Sequence, residues 1–181
     1  MNSLYRIVNT IDTISENIGR VVAWLTLGMV GVMFIVVVLR YVFDTGSIAV
    51  QESVTYLHAL VFMFGASYTL RHDEHVRVDV FYQSWSVTIR AKINLAGSLL
   101  FLLPLTAVLF WLSMDYVIDA WRVKEGSRQT GGLPFIYLLK SVIPLTAALL
   151  FMQGLAETLR SVAQLSAGTL HNSAAHHQEK L

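Results

Sequence analysis

Four long stretches of apolar residues, separated by short polar segments, dominate the pattern along the chain. They cover residues 21–40, 52–71, 93–117 and 133–156. A helix needs about 20 mostly apolar residues to cross the hydrocarbon core of a bilayer. A buried helix of a soluble protein would keep a polar face with a period of 3.6 residues, and the first and third stretches have none. The pattern predicts an all-α integral membrane protein with four transmembrane helices.

The first stretch could alternatively belong to a signal peptide, because residues 47–49 (Ser-Ile-Ala) resemble a small-residue cleavage site. The apolar part of a signal peptide is about 7–15 residues long, and this stretch is longer. Arg40 and Asp44 also separate the stretch from the candidate cleavage site. The sequence therefore favours a helix that is retained.

Two amphipathic segments flank the spans. Apolar side chains recur at helical spacing in residues 1–20, which predicts an N-terminal amphipathic helix lying in the headgroup plane. Residues 21–165 then form the transmembrane domain, and residues 166–181 form a polar tail that we expect to be disordered. A second amphipathic segment is predicted between spans two and three, on Val78, Phe81, Tyr82, Trp85 and Ile89.

Composition supports the membrane assignment and excludes several classes of function. The chain is 55% hydrophobic and 14% charged, whereas soluble domains carry about 25% charged residues. Its 13 basic and 12 acidic residues leave no excess charge to attract nucleic acid. The absence of cysteine excludes disulfides, thiolate metal sites and cysteine nucleophiles.

The distribution of basic residues predicts the orientation in the membrane. Four spans place both termini and the middle loop on the same side. That side carries eight basic residues and the other side four, with Lys140 left out because it lies within a span. Cytoplasmic loops carry the excess of Lys and Arg, so we expect both termini in the cytoplasm.

The segment after the second span, His72-Asp73-Glu74-His75, is the densest group of titratable side chains and a candidate metal site. The H-E-x-x-H motif of metalloproteases places two histidines four residues apart on one helix face. His72 and His75 are three residues apart. We interpret the segment as a solvated boundary with local ion pairs, and we expect neither a metal nor a cofactor.

Charged residues also flank or enter the spans. Arg40 and Glu52 border the first outer loop, and Lys140 lies in the fourth span. Such groups can snorkel or pair at the boundary, or they can contact another membrane subunit. The central part of each span lacks acidic residues, and His58 is the one titratable group deep in the second span. We therefore expect no enzyme activity.

Two stretches, VVVLRYVF (residues 36–43) and QESVTYLHALVFMFGASYTLRHDEHVRVDVF (residues 51–81), resemble the small permease (Q, DctQ-type) subunit of TRAP (tripartite ATP-independent periplasmic) transporters. The resemblance covers about residues 15–165. Val50 and Gln51 depart from the family pattern, which has a tryptophan and a first glutamate in this neighbourhood. The positions that match the family motifs are Arg40, Tyr41, Phe43, Glu52, Leu70, Arg71, His75, Arg77 and Asp79.

The resemblance implies a function that the composition alone does not. TRAP transporters use a sodium gradient and a periplasmic substrate-binding (P) protein to take up organic acids, among them sialic acid and four-carbon dicarboxylates. The large permease (M) subunit holds the substrate and the sodium ions. The small subunit is expected to be a static scaffold in the bacterial cell inner membrane, which packs against the large subunit and helps to dock the binding protein.

The resemblance and the expected topology together suggest candidate functional residues. The second outer loop, residues 119–132, would face the binding protein, and we expect its glycines to let it adapt to that partner. The candidates for docking are Arg122, Lys124 and Arg128. The candidates for structural or subunit contacts are Arg40, Glu52, Arg71, His75, Arg77, Asp79 and Lys140.

Two other classes of function compete with this interpretation. A free-standing four-helix channel or small-molecule exporter would need polar faces on at least two helices to line a path, and the sequence does not show them. A membrane anchor or assembly factor without a part in transport is the third possibility.

Overall fold

The computed structural model describes the backbone of residues 2–72 and 85–178, and the side chains of residues 6–72 and 85–166. All regular structure in these residues is helical. The elements are α1 (Asn2–Tyr41), α2 (Ile48–Arg71), α3 (Val87–Gly97), a π-helical turn (Ser98–Leu102), α4 (Leu103–Arg122) and α5 (Ile136–Gln178).

Four helical segments are long and apolar enough to cross a membrane. They are Arg6–Tyr41, Ile48–Arg71, Val87–Arg122 and Ile136–Ser166. The third segment joins α3, the π-helical turn and α4 end to end. These segments confirm the predicted all-α architecture with four membrane-spanning helices, and each contains one of the apolar stretches or most of it.

The helix ends differ from the predicted boundaries at both termini. Helix α1 is continuous from Asn2 to Tyr41, so the predicted amphipathic segment and the first span share one helix. Its position at the membrane surface stays a prediction. Helix α5 continues past residue 166 to Gln178, and the disorder of the tail likewise stays a prediction. Most of the second amphipathic segment lies outside the described residues.

Short-range chemistry accounts for where several helices begin and bend. Ser47 and Ser86 precede α2 and α3, and each hydroxyl accepts a hydrogen bond from a backbone N–H of the first turn, from Val50 and Ile89 at 3.4 Å. Such caps satisfy donors that have no partner within the helix. Pro104 lacks the N–H that would bond to the fourth residue before it. The wider π-helical turn directly before α4 accommodates this loss.

Helix α5 lies at the centre of the bundle and packs against α1, α2, α3 and α4. The buried apolar residues are small or medium-sized, namely Ala91, Val117, Ala120, Val142, Ala147 and Ala156. Large side chains such as Trp24, Phe34 and Trp111 are instead exposed. Small residues let membrane helices approach closely, and an outer surface of large apolar residues suits a lipid or protein environment within the bilayer.

Candidate functional site

Charged side chains gather at the two ends of the bundle. The first group, which we call the terminal network, consists of Asp12 and Glu16 of α1, Arg71 of α2, and Gln153, Glu157 and Arg160 of α5. It lies where α1 begins and α2 ends. Because the network also contains residues from the second half of α5, the start of α1, the end of α2 and the C-terminal half of α5 lie together at this end of the bundle.

Two arginines hold the terminal network together. Arg71 donates to Glu16, and its Nε lies 3.9 Å from Asp12 Oδ1. Arg160 donates to Asp12 and, at 2.9 Å, to Glu157. The four side chains of Asp12, Glu16, Arg71 and Arg160 are only 19–30% exposed. Solvent screens them less than it screens surface pairs, so these contacts link α1, α2 and α5 firmly.

Amide and hydroxyl groups extend the terminal network into the interior. Gln153 is fully buried; its Nε2 donates to Asp12 Oδ1 at 3.4 Å, and its Oε1 accepts from Ser15 Oγ at 3.0 Å. Asn94 of α3 donates to Glu157 at 3.4 Å. The network thus connects all four spans, and each of its carboxylates has a partner.

His72 belongs to the candidate metal segment, is among the described residues and lies beside the terminal network. His72 Nε2 lies 3.6 Å from Glu16 Oε2, and its ring is tilted against the Tyr68 ring with the two centroids 4.2 Å apart. Among the described residues there is no group of three or more His, Asp or Glu side chains that could hold a metal ion. His75, Arg77 and Asp79 lie outside the described residues, so the expectation of no metal stays a prediction.

The second group, which we call the loop cluster, fastens the connection between α4 and α5. It consists of Glu52 of α2, the connecting residues 123–135, and Lys140 of α5. The Glu52 carboxylate accepts from Ser127 Oγ and, at 2.7 Å, from Leu133 N. Ser127 N in turn donates to Leu133 O at 2.9 Å. One carboxylate on α2 therefore accepts hydrogen bonds from both sides of the loop, near its start and near its end.

Lys140 provides a second attachment for the loop. Its ammonium donates to Glu125 and lies 3.8 Å from the centroid of the Tyr116 ring. Its side chain is 15% exposed. The positive charge of Lys140 within the fourth span is thus stabilised by the Glu125 carboxylate and by the face of the Tyr116 ring.

The glycines of the loop allow a close fit. A Cβ on Gly132 would lie 2.5 Å from Ser127 Cβ and 2.8 Å from Glu52 Oε1, and one on Gly126 would lie 3.2 Å from the backbone of Pro134. Gly131 has a φ of +82°, which favours glycine. These glycines permit a fixed and tightly packed conformation, whereas the sequence suggested that they provide adaptability.

The three docking candidates lie at the loop end of the bundle in different surroundings. Arg122 pairs with Asp119 at 3.1 Å, and both side chains are more than 70% exposed. The Lys124 ammonium lies over the rings of Trp121 and Tyr137, at 4.5 and 4.9 Å. Arg128 is exposed and forms no ion pair with any described residue. Of the three, Arg128 presents its charge most freely.

The candidates for structural or subunit contacts also lie in different parts of the bundle. Glu52 and Lys140 belong to the loop cluster and Arg71 to the terminal network. Arg40 is exposed beside the loop that precedes α2 and forms no ion pair with Glu52. The sequence did not single out the residues of α5 that belong to the terminal network. A signal was available on α5, because Gln153, Glu157 and Arg160 share one face of a largely apolar helix.

Between the two groups, the interior of the described bundle contains small apolar residues and several hydroxyl groups. The hydroxyls of Ser67, Thr106 and Ser113 bond to backbone oxygens of their own helix at 2.7–3.1 Å. Those of Tyr56 and Thr146 are instead buried without a hydrogen-bond partner among the described residues. The half-buried carboxylates of the two groups are paired with Arg71, Arg160 and Lys140 or with loop donors at the ends of the bundle. The architecture is that of a multi-pass membrane protein whose charged side chains join the helices at both ends of the bundle.

Comparison with known families agrees with this class. The sequence matches the family described as "Tripartite ATP-independent periplasmic transporters, DctQ component" over residues 29–164. The chain belongs to this family, the small permease component of TRAP transporters. No curated protein and no solved structure matches the chain.

Proposed function

We propose that the chain is the small membrane subunit of a sodium-coupled, binding-protein-dependent TRAP transporter for organic acids. Sialic acid and four-carbon dicarboxylates are the candidate substrates. The subunit serves as a static scaffold that packs against the large permease subunit and helps to dock the periplasmic binding protein. The observation that carries this proposal is the DctQ family match over residues 29–164.

The arrangement of charges supports the scaffold role. The terminal network and the loop cluster tie the spans together at opposite ends of the bundle. Relative movement of one helix would separate ion pairs that are largely shielded from water, which is costly. A sodium ion or an organic acid also needs polar ligands in place of its water shell. The described interior supplies no such group of ligands, so these sites are assigned to the large permease subunit.

The competing channel or exporter has less support. It would need a continuous polar path between the helices, whereas the buried polar residues of α5, Thr146, Gln153 and Ser161, alternate with the buried apolar residues Ala147 and Ala156. An anchor or assembly factor would share the fold but would not be required during uptake. The scaffold role differs from that of an anchor or assembly factor because it makes the chain necessary for each cycle of binding-protein-dependent uptake.

The orientation completes the proposal. With both termini in the cytoplasm, residues 123–135 face the periplasm, where a binding protein can reach them. The excess of basic residues on the side of the termini supports this orientation. Arg122, Lys124 and Arg128 then lie on the docking side.

Reconstitution into proteoliposomes tests the proposed function. The chain alone should give background uptake of labelled organic acids, in the presence or absence of a sodium gradient. Uptake should appear when the large permease subunit and the binding protein are added, and it should be lost when this chain alone is left out. Sodium-driven uptake by the isolated chain would contradict the scaffold role, and undiminished uptake without the chain would contradict its need.

A further inference from the structure

Helix α2 carries an exposed polar stripe within the membrane-spanning region. Four residues between 51 and 70 are exposed on this helix, namely Gln51, Thr55, His58 and Phe62. Their spacing places them on one face of the helix, because residues four, seven and eleven positions apart return to the same side. Three of the four can form hydrogen bonds. We call this face the α2 stripe.

The hydrogen-bonding groups of the α2 stripe have no partner within the described part of the chain. The side chains of Gln51, Thr55 and His58 form no hydrogen bond or ion pair with any described residue. Thr69 of the same helix and Thr26 of α1 differ, because their hydroxyls donate to Gly65 O and Val22 O at 2.9 Å. The stripe therefore retains free bonding capacity at the surface, whereas Thr26 and Thr69 have used theirs within their own helices.

The depth of His58 limits what can satisfy it. His58 lies ten residues after Ile48, where α2 begins, which corresponds to about 15 Å along the helix. This is about half the hydrocarbon thickness of about 30 Å, and a histidine side chain is too short to reach the headgroups from there. Lipid at this depth offers only hydrocarbon, where an unpaired polar group is costly. Another protein segment can offer a hydrogen bond.

The surface beside the α2 stripe is shaped to receive a helix. An apolar groove runs between α1 and α2, lined by Met29, Met33, Phe34 and Val37 on one side and by Val54, Thr55 and His58 on the other. Phe62 is 70% exposed and stacks on the His58 ring at 6.4 Å. A groove of flexible methionines and an aromatic edge, with hydrogen-bonding groups along one wall, suits a helix that carries both apolar and polar side chains.

We propose that the groove and the α2 stripe seat one transmembrane helix of the large permease subunit, which presents a hydrogen-bonding side chain to His58 or Thr55. This assignment rests on the proposed function and adds to it the face that meets the partner. The family is a component of a multi-subunit transporter, which supplies such a partner in the same membrane. The contact would satisfy the imidazole at mid-membrane and cover the groove in one step.

Site-specific crosslinking can locate this contact, because the chain contains no cysteine. We would compare Phe62→Cys on the α2 stripe with Leu112→Cys on α4, since the two side chains are 70% and 69% exposed and both lie within spans. Each cysteine would carry a benzophenone maleimide in the assembled complex in native membranes. After irradiation, an adduct with the epitope-tagged large subunit is expected from residue 62 and not from residue 112.

The other outcomes of this crosslinking experiment overturn the assignment. An adduct with a second copy of the chain would show a homo-oligomeric face. Labelling of lipid alone, with the two subunits still purifying together, would show a lipid-facing stripe and leave the proposed function intact. Equal adducts from residues 62 and 112 would remove the preference for this face. Failure of the wild-type chain to associate with the large subunit would contradict the proposed function itself.

Substitution gives an independent measurement with opposite expectations for the two environments. If His58 bonds to a partner helix, His58→Leu should weaken association of the subunits roughly three- to tenfold, and His58→Gln should largely preserve it. Thr55→Val should weaken association in the same direction, while Thr26→Val should not, because the Thr26 hydroxyl already bonds to its own helix. If the stripe faces lipid, His58→Leu should leave association unchanged or improve the yield of the complex, which would overturn the assignment.

Discussion

At the scale of single residues, the shape of the loop depends strongly on one carboxylate. Glu52 accepts hydrogen bonds from the Ser127 hydroxyl and the backbone N–H of Leu133, and a Cβ at Gly132 would lie 2.8 Å from its Oε1. A carboxylate can accept both bonds at once with its two oxygens. An acid at this position therefore orders a loop more than 70 residues further along the chain.

Replacing Glu52 by Gln should loosen this loop. The amide oxygen can keep the bond from Leu133 N and the NH2 group can donate to Ser127 Oγ, but neither bond then involves the carboxylate charge, which makes such hydrogen bonds about twice as strong as neutral ones. We expect a loss of about 1–3 kcal/mol, seen as a lower melting temperature in detergent and faster tryptic cleavage after Arg128. Asp119→Asn is the matched control, because its pair with Arg122 is exposed. Equal cleavage rates in both variants would contradict the role of Glu52.

A glycine in α1 shows how closely the first two helices pack. A Cβ on Gly19 would overlap the Tyr68 ring of α2, and that ring contacts the His72 ring beside the terminal network. Gly28 of the same helix has open space around its Cα. The two glycines therefore lie on the same helix, but only Gly19 is packed closely against a neighbouring side chain.

Exchange of these glycines for alanine should have opposite effects. Gly19→Ala should destabilise the protein by about 1–3 kcal/mol, because Tyr68 must move. Gly28→Ala should be neutral or stabilise it by up to about 1 kcal/mol, because alanine is the better helix former. Thermal unfolding of both purified variants in the same detergent would measure the difference. A loss of stability from Gly28→Ala as large as that from Gly19→Ala would contradict the proposed packing.

At the scale of helices, the sequence predicted the elements better than their contacts. The apolar run lengths were sufficient to find four spans, because hydrocarbon thickness sets the length of a spanning helix. The sequence identified Arg71, Glu52 and Lys140 through charge and motif, but not their partners. Asp12 and Arg160 are 148 positions apart, and periodicity reports only neighbours on one helix. Asp12 and Glu16 lie in the segment predicted as an amphipathic helix, residues 1–20, and their pairs with arginines of α2 and α5 could not be foreseen from that segment alone.

The second outer loop, where docking is predicted, also shows that the sequence did not reveal side-chain contacts. Three basic residues near a predicted outer loop were visible in the sequence, but their side-chain environments were not. Lys124 has a φ of +49° and lies over two aromatic rings, and Arg122 is engaged with Asp119. These local contacts depend on how the loop returns to α5, which no single helix determines. The structure thus directs attention to Arg128 within the predicted set.

At the scale of the whole molecule, the terminal network requires that α1 begins and α2 ends at the same end of the bundle. The loop cluster lies at the opposite end. Which end faces the cytoplasm depends on the balance of basic residues and remains a prediction. Reporter fusions after Leu181 and within residues 125–132 should report opposite compartments, with the C-terminal fusion cytoplasmic. Signals from the same compartment would contradict the four-span topology, and exchanged signals would contradict the orientation.

The last prediction concerns the encounter with the binding protein. If the loop end faces the periplasm, the free charge of Arg128 can steer an approaching partner, and such charges at the edge of an interface mainly affect the association rate and its salt dependence. Arg128→Glu should therefore slow uptake most when the binding protein is limiting and the ionic strength is low. The effect should fade in high salt, because screening shortens the reach of the charge. Association with the large subunit should be unchanged.

Arg6→Glu is the matched control for this measurement, since Arg6 is also exposed but lies at the opposite end of the molecule, where no binding protein is expected. Lys124→Glu is a less specific variant, because it also removes the contacts with Trp121 and Tyr137 and can distort the loop. If Arg128→Glu and Arg6→Glu reduce uptake equally, or if the Arg128→Glu defect persists at high salt and saturating binding protein, Arg128 does not act as a docking charge. A defect restricted to low salt and limiting binding protein would place the encounter at the loop cluster.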